Sequence, residues 1–508
     1  MPKYVLAVDQ GTTGTTAMVV DAMGRIRGRA YGEIHQFYPR PGWVEHDPEE
    51  IYRSVVRQGR AALAAAHVKA RELAAIGITN QRETFTVWER GSGRPLHRAI
   101  VWQCRRSAEL CQRLREREPE ITQRTGLLVD PYFSGTKLKW LLDKDRALSR
   151  RAARGEVCFG TIDSWLIFKL SRGEAFVTDF TNASRTMLMN LEQRRWDPVM
   201  LQMLGVPEQM LPQLMDSRGP LAEAARGTVT DYSVPIAAAI GDQQAALFGQ
   251  GCVRPGDAKV TYGTGAFLLT YTGQHRPQSR SRLLATTALG AQGEPALALE
   301  GSIFMAGAVI QWLRDELRMI SNSAESLTLA RQSGDRTQPY VVPAFVGLGA
   351  PYWDSEARGA IVGITRGTTR ADVVRAALDS IAFQVRDVIE AMEQDIGSRI
   401  VKLRVDGGAT ANDYLMQFQA DLLGRPVTRP RIAETTALGA ALLAGLATGI
   451  WRSTAQAAAL RQIERVFKPA MKERERTRLI DGWRAAVRRV LTSQSGEPRE
   501  ADRSKSQA

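Results

Sequence analysis

A chain of 508 residues is too long for a single hydrophobic core and predicts two to three domains. With 44% hydrophobic and 24% charged residues it reads as a soluble cytoplasmic protein, and Asp9 interrupts the short N-terminal apolar run, which excludes a signal peptide. The net charge of +14 comes from scattered arginines without an interleaved aromatic stripe, so no nucleic acid is expected as a partner.

In chain order, Val5-Leu6-Ala7-Val8-Asp9-Gln10-Gly11-Thr12-Thr13-Gly14-Thr15-Thr16 and the apolar residues after it predict a β-hairpin. Its turn offers glycines, threonine hydroxyls and backbone N–H groups, a combination that can cradle phosphate oxygens. Asp9 beside it is a candidate holder of Mg²⁺. Asp47-Pro48-Glu49-Glu50 predicts a capped helix running to about Lys69. Short strands at about Ala75 to Thr79 and Ala99 to Trp102 deliver Asn80-Gln81-Arg82-Glu83-Thr84 and Gln103-Cys104-Arg105-Arg106 at their ends. Open α/β sheets build sites in this way. Cys104 and Cys111, seven apart, are expected on one helix face, and all four cysteines (with Cys158 and Cys252) read as reduced thiols, since no CxxC or zinc spacing occurs.

Between Pro207 and Pro235 the chain reads as irregular; then a strand from Pro235 to Ile240 enters Gly241-Asp242-Gln243-Gln244 and a helix. A domain boundary is expected at Gln250 to Asp257. It is followed by a second hairpin of the first kind, Lys259-Val260-Thr261-Tyr262-Gly263-Thr264-Gly265-Ala266-Phe267-Leu268-Leu269. Leu403-Arg404-Val405 runs into Asp406-Gly407-Gly408 and a helix from about Asn412. Ala437 to Trp451, rich in Ala and Gly, is a packed core helix too short to span a bilayer, so no membrane insertion is expected. The residues after Thr492 are expected to be a disordered tail. The domains are accordingly 1–251, 252–492 and the tail 493–508.

Two phosphate-cradling hairpins, one in each half, suggest related domains gripping one polyphosphate, with ATP as the expected nucleotide. Three clusters could serve an acceptor. Arg82-Glu83 pairs a donor fork with a carboxylate, a match for a small polyol; Asp242-Gln243 and Tyr132 lie on their own turns. Each also has an ordinary alternative: a surface ion pair, a helix N-cap and a core ring.

These segments, together with Asp130-Pro131-Tyr132-Phe133-Ser134-Gly135-Thr136-Lys137, Gly301-Ser302-Ile303-Phe304-Met305-Ala306-Gly307 and Gly347-Leu348-Gly349-Ala350-Pro351-Tyr352-Trp353-Asp354, resemble the glycerol kinases from about Tyr4 to Val490. The resemblance implies an α/β fold of two ribonuclease-H-like, actin-like ATPase domains facing across a cleft, and ATP-dependent phosphorylation of glycerol. It implies that Thr12, Thr13 and Gly14 line the phosphates, and that Thr264, Gly307, Gln311, Gly408 and Asn412 line the nucleotide. Arg82, Glu83, Tyr132, Asp242 and Gln243 would hold glycerol against Trp102 and Phe267. Asp242 would be the general base, with Asp9 and Asp242 as the carboxylates toward Mg²⁺. A homo-oligomer, dimer or tetramer, is also implied.

Two departures stand out. Thr16 occupies the position of a family arginine, and Ala225 to Ser233 lacks the Gly-Gly-Lys-Gly-Gly-Thr-Arg loop through which fructose 1,6-bisphosphate inhibits some relatives. The competing readings are a kinase of another polyol or of a ketose such as xylulose, and a non-catalytic ATP-binding regulator. Retention of Asp242 argues against the regulator.

Overall fold

A computed structural model describes residues 3–334, 338–354, 356–454, 456 and 461–492. The tail expected to be disordered, 493–508, lies outside the described residues. The chain builds two large sheets on one plan. In the first, β1 (Tyr4–Gln10), β2 (Gly14–Asp21) and β3 (Ile26–Glu33) form an antiparallel meander. On the other side of β1, β4 (Leu73–Asn80) and β5 (Val234–Gly241) add in parallel. In the second sheet β6 (Ala258–Tyr262), β7 (Ala266–Gly273) and β8 (Pro295–Ile303) form the meander. There β9 (Leu403–Asp406) and β10 (Val427–Pro430) add in parallel beside β6. Each core sheet thus runs third, second, first, fourth, fifth, the ribonuclease-H-like arrangement present twice.

The helices that matter here are α1 (Pro48–Ala66), α2 (Asp242–Gly249), α3 (Gly307–Asp315), α4 (Arg370–Ile396), α5 (Asp413–Leu423) and α6 (Thr435–Ala447). α1 starts where its cap dictates. The Asp47 carboxylate accepts from Glu49 N at 2.9 Å, Pro48 needs no hydrogen bond at the first position, and His67 closes the helix with φ 53°. α4 packs the second domain's core together with Val260, Leu268, Val405 and Leu415.

The two helices that follow the fifth strands tie the halves together. α6 is apolar all round because it is buried all round: Ala437, Ala440, Leu443 and Ala444 pack with Val5, Ala7, Ala75 and Ala238 of the first sheet. α2 contributes Ala245 and Phe248 to that cluster but turns Leu247 toward Leu269 and Tyr271 of the second. The two helices touch at Gly439, where a Cβ would come within 2.0 Å of Ala245 O, so a side chain there would force the halves apart.

Several expectations are corrected. Residues 207 to 235 are not irregular throughout, since Gln213–Met215 and Arg218–Ala224 are strands and the latter pairs antiparallel with β5. Polar residues at this exposed sheet edge hid the alternation. Only Ala99–Ile100 is extended in the strand expected through Trp102. Cys104 is not helical: it precedes the helix Ala108–Leu114 that holds Cys111, and the two thiols meet in one core cluster through the turn between them. The loop from 225 to 233 is held by Arg60, whose Nε donates to Thr228 O at 3.0 Å, and by Arg172, which donates to Arg226 O at 2.9 Å.

Candidate active site

Parallel pairing sets the site. Asp9 of β1 pairs with Thr79 of β4, and Thr79 with Ile240 of β5, so these three strands end on one row. The residues that follow, Gln10-Gly11-Thr12, Gln81-Arg82-Glu83 and Asp242-Gln243, emerge together at that edge. The second sheet does the same: Thr261 of β6 pairs with Asp406 of β9, which brings Gly263-Thr264-Gly265 beside Gly407-Gly408.

Where β4 and β5 end, Arg82 is the hub. Its Nη1 and Nη2 donate to the two oxygens of Glu300 at 2.6 and 2.9 Å, and its Nε lies 3.2 Å from Asp242 Oδ1. Nη1 also donates to Gln244 Oε1 at 3.2 Å. Arg185 completes the cluster, with Nε to Glu83 Oε1 at 2.6 Å and Nη2 to Glu300 Oε1 at 3.0 Å. Arg82, Glu83, Arg185 and Glu300 are all buried. Gly241 makes this possible, because a Cβ there would sit 2.8 Å from the Arg82 stem. Glu83 holds a left-handed backbone, φ 62°, a strain of about 1–3 kcal/mol for a residue with a Cβ. It is fixed there by Arg185 on its carboxylate and by Ser134 Oγ, which donates to its carbonyl at 2.9 Å.

Three rings wall the space. Trp102 meets Tyr132 edge-on at 5.6 Å and Phe267, from the second sheet, at 6.1 Å. Trp102 Nε1 donates to Thr12 Oγ1 at 2.9 Å, which joins the Arg82 cluster to the first Gly-Thr turn. Gln243 accepts a hydrogen bond from the buried Lys259 ammonium, which also donates to Thr261 Oγ1 at 2.8 Å.

Electrostatics separate the carboxylates. Burial pushes Asp9 up to about 7, with Asp242 and Glu434 adding to the effect. Burial also raises Asp242, against the pull of Arg82 and the Gln243 N–H, which donates to Asp242 Oδ1 at 2.7 Å. Glu300 goes the other way: burial alone would raise it, but Arg185 and Arg82 bring it down to about 2. Lys259 falls to about 8 through burial, despite Asp406 and Glu300 nearby. Among the described residues no group of three or more His, Cys, Asp or Glu side chains could hold a metal ion alone. The two carboxylates Asp9 and Asp242, close enough for the charge of Asp242 to raise Asp9, suit an ion that keeps phosphate and water ligands, as Mg²⁺ does.

In the first Gly-Thr turn, Gly11 N donates to Gly14 O at 2.9 Å and leaves Thr12 and Thr13 at the apex. In the second, Gly307 N donates to Gly263 O and Ala306 N to Thr264 O, both at 2.9 Å. A Cβ on Gly307 would lie 2.6 Å from Gly263 O, so only glycine lets α3 start against that turn. Gln311 sits one turn along α3 on its exposed side. Gly408 opens a single 3₁₀ turn with no atom within 4 Å of where its Cβ would be. Asn412 is committed to its helix: Oδ1 accepts from Leu415 N at 3.1 Å, and Nδ2 donates to Ser326 Oγ at 3.3 Å. Thr16 pairs with Asp9 on one side and Tyr31 on the other. On the same face of β3, Arg29 is held by Glu434 at 2.9 Å.

The expected acceptor residues Arg82, Glu83, Trp102, Tyr132, Asp242, Gln243 and Phe267 are therefore brought together by these contacts. Sequence reading missed Glu300, Arg185, Lys259 and Gln244. Glu300 did leave a signal, a lone carboxylate in the apolar run Ala296-Leu297-Ala298-Leu299. Arg185, in a polar loop, left none.

The N-terminal domain of the FGGY family of carbohydrate kinases matches residues 4–249, and its C-terminal domain matches residues 258–448. The chain is 53% identical over 491 residues to glycerol kinase 2 of Thermotoga maritima, covering 96% of this chain and 99% of that one. It is 54% identical over 489 residues to a glycerol kinase of Symbiobacterium thermophilum, covering 96% and 98%. The crystal structure of Plasmodium falciparum glycerol kinase with ADP superposes with a TM-score of 0.90 at 35% identity, over 96% of this chain and 98% of that one. A ligand-bound xylulose kinase from Lactobacillus acidophilus, at 22% identity and TM-score 0.85 over 97% and 99% of the two chains, shares the fold.

Proposed function

This chain belongs to the FGGY family of carbohydrate kinases, and on that premise we propose that its cleft transfers the γ-phosphoryl group of ATP to a terminal hydroxyl of glycerol, giving sn-glycerol 3-phosphate. The observation that carries the reading is the meeting of Arg82, Glu83 and Asp242 at the common end of three parallel strands, under a roof of Trp102, Tyr132 and Phe267. A triol needs both donors and acceptors along one edge and apolar contact along its carbon chain, and this space supplies both.

Asp242 is the general base in this reading. A hydroxyl is a weak nucleophile, and a carboxylate whose affinity for protons is raised by burial accepts its proton as the phosphorus–oxygen bond forms. Arg82 and Glu83 fix the acceptor, so that much of the rate comes from holding the hydroxyl in line. Thr12, Thr13 and Gly14 face the phosphates from the first turn, and Thr264, Gly307, Gln311, Gly408 and Asn412 line the nucleotide from the second half. Asp9 and Asp242 would hold the Mg²⁺ that accompanies the triphosphate; when bound, that ion neutralises charge on the transferring oxygens.

A coupled ADP-release assay with Mg²⁺-ATP and glycerol, dihydroxyacetone, erythritol and xylulose tests the proposal. Glycerol is expected to give the highest kcat/KM; preference for xylulose, or ATP binding without turnover of any acceptor, overturns it. The reading also includes domains 1–251 and 252–492, a cytoplasmic homo-oligomer and a hinge at residues 250–257, where Gly251 and Gly256 take positive φ. Closure around both ligands expels water that would otherwise hydrolyse ATP. Small-angle scattering is expected to show a smaller radius of gyration with glycerol plus a non-hydrolysable ATP analogue, and an unchanged radius removes the hinge.

A further inference from the structure

Arg82 has more carboxylates in reach than it can serve. Asp242 Oδ1 lies 3.2 Å from Nε, Glu83 Oε1 lies 3.9 Å from it, and Glu300 takes both terminal nitrogens. A guanidinium prefers the two-pronged pairing, so which carboxylate receives the fork decides where Arg82 points. Glu300 wins by placement. It stands on β8 of the second sheet, fully buried, with Arg185 Nη2 donating to it as well, so it stays ionised and cannot turn away. Without it the fork's next partner is Asp242, and a bidentate Arg82–Asp242 pair would close off the carboxylate that the acceptor must reach.

We propose that Glu300 is a positioning residue for the acceptor: by occupying both terminal nitrogens of Arg82, it keeps the guanidinium from folding onto Asp242 and holds the polyol-binding edge open. The inference rests on the glycerol reading above. It gives the second domain a part in acceptor recognition, because the residues that face glycerol from the first half are held by a charge from the other half. Lys259 of β6 does the same for Gln243 through its hydrogen bond to the amide oxygen.

The test compares wild type with Glu300→Gln, which keeps the shape and removes the charge. Glycerol KM and the calorimetric Kd for glycerol are expected to rise on the order of tenfold to a hundredfold, the scale of a misplaced binding group. Kcat should fall by a smaller factor, and ADP Kd should stay within about twofold, since that end of the cleft is untouched. If glycerol and ADP weaken together, or if neither weakens while thermal stability falls, Glu300 is only structural and the proposal fails. If wild type itself shows no glycerol-dependent turnover, the functional reading fails instead. Should the single variant not fold, Glu300→Asp, which keeps the charge but draws the carboxylate back from the Arg82 fork, is judged by the same glycerol-to-ADP comparison.

Discussion

Asp242→Asn is expected to lower kcat for glycerol on the order of 10²- to 10⁴-fold, the range spanned by a positioned general base, while ADP affinity stays unchanged. The substitution is nearly isosteric, and its site tolerates it. The side chain is 27% exposed, and the oxygen that accepts from Gln243 N can remain an amide oxygen. What is lost is the capacity to take a proton and the negative charge beside Arg82 Nε, which still faces an amide oxygen. Because Glu300 still holds the Arg82 fork, the guanidinium keeps its place, so glycerol KM should move far less than kcat. That split is diagnostic: loss of a group used only in the transition state lowers kcat, whereas loss of a uniform binding contact raises KM. Steady-state kinetics with Mg²⁺-ATP and glycerol measure both. A variant retaining kcat within about threefold would put the base elsewhere, and a hundredfold rise in KM at constant kcat would reduce Asp242 to a binding group.

What sequence could and could not reveal follows from the range of the interactions involved. Both hairpins were legible because their signal is local: a short apolar run, a Gly-Thr turn and a returning apolar run, within about twenty residues. α1 was legible from Asp47-Pro48, and α6 from a run with no charge on any face. The strand Arg218–Ala224 was not, since one face is solvated and a proline interrupts the run. The seven-residue spacing of Cys104 and Cys111 reads as one helix because it does not reveal the turn before Ala108. In the site, Arg82, Glu83 and Asp242 stand at strand ends where chemistry is expected. Glu300 and Lys259 lie inside strands, where a charge acquires meaning only from what it faces across the cleft. Their partners are more than a hundred residues away for Glu300 (Arg82 and Arg185) and sixteen for Lys259 (Gln243), and no periodicity encodes such pairs.

Arg82→Met carries the other large expectation, on two readouts at once. Removing the guanidinium leaves Glu300 with Arg185 alone, in surroundings that exclude water, and leaves the partly exposed Asp242 with no cation at its Oδ1. Breaking a buried ion pair by deleting one partner costs about 3–5 kcal/mol, far more than the same deletion at the surface. A lowered thermal midpoint is therefore expected, together with glycerol-dependent turnover reduced beyond a thousandfold, because the donor fork, the cation beside Asp242 and the support for Tyr132 Oη at 3.5 Å all disappear. Arg82→Lys separates the two effects. An ammonium restores the charge, so most of the stability should return, but a single point donor cannot hold both Glu300 oxygens and still face Asp242. Glycerol kcat/KM should then remain at least about a hundredfold below wild type while the thermal midpoint recovers. If lysine restores activity along with stability, the site needs only a positive charge at this position. If it restores stability alone, recognition depends on the planar fork, and the Glu300 clamp is what aims it.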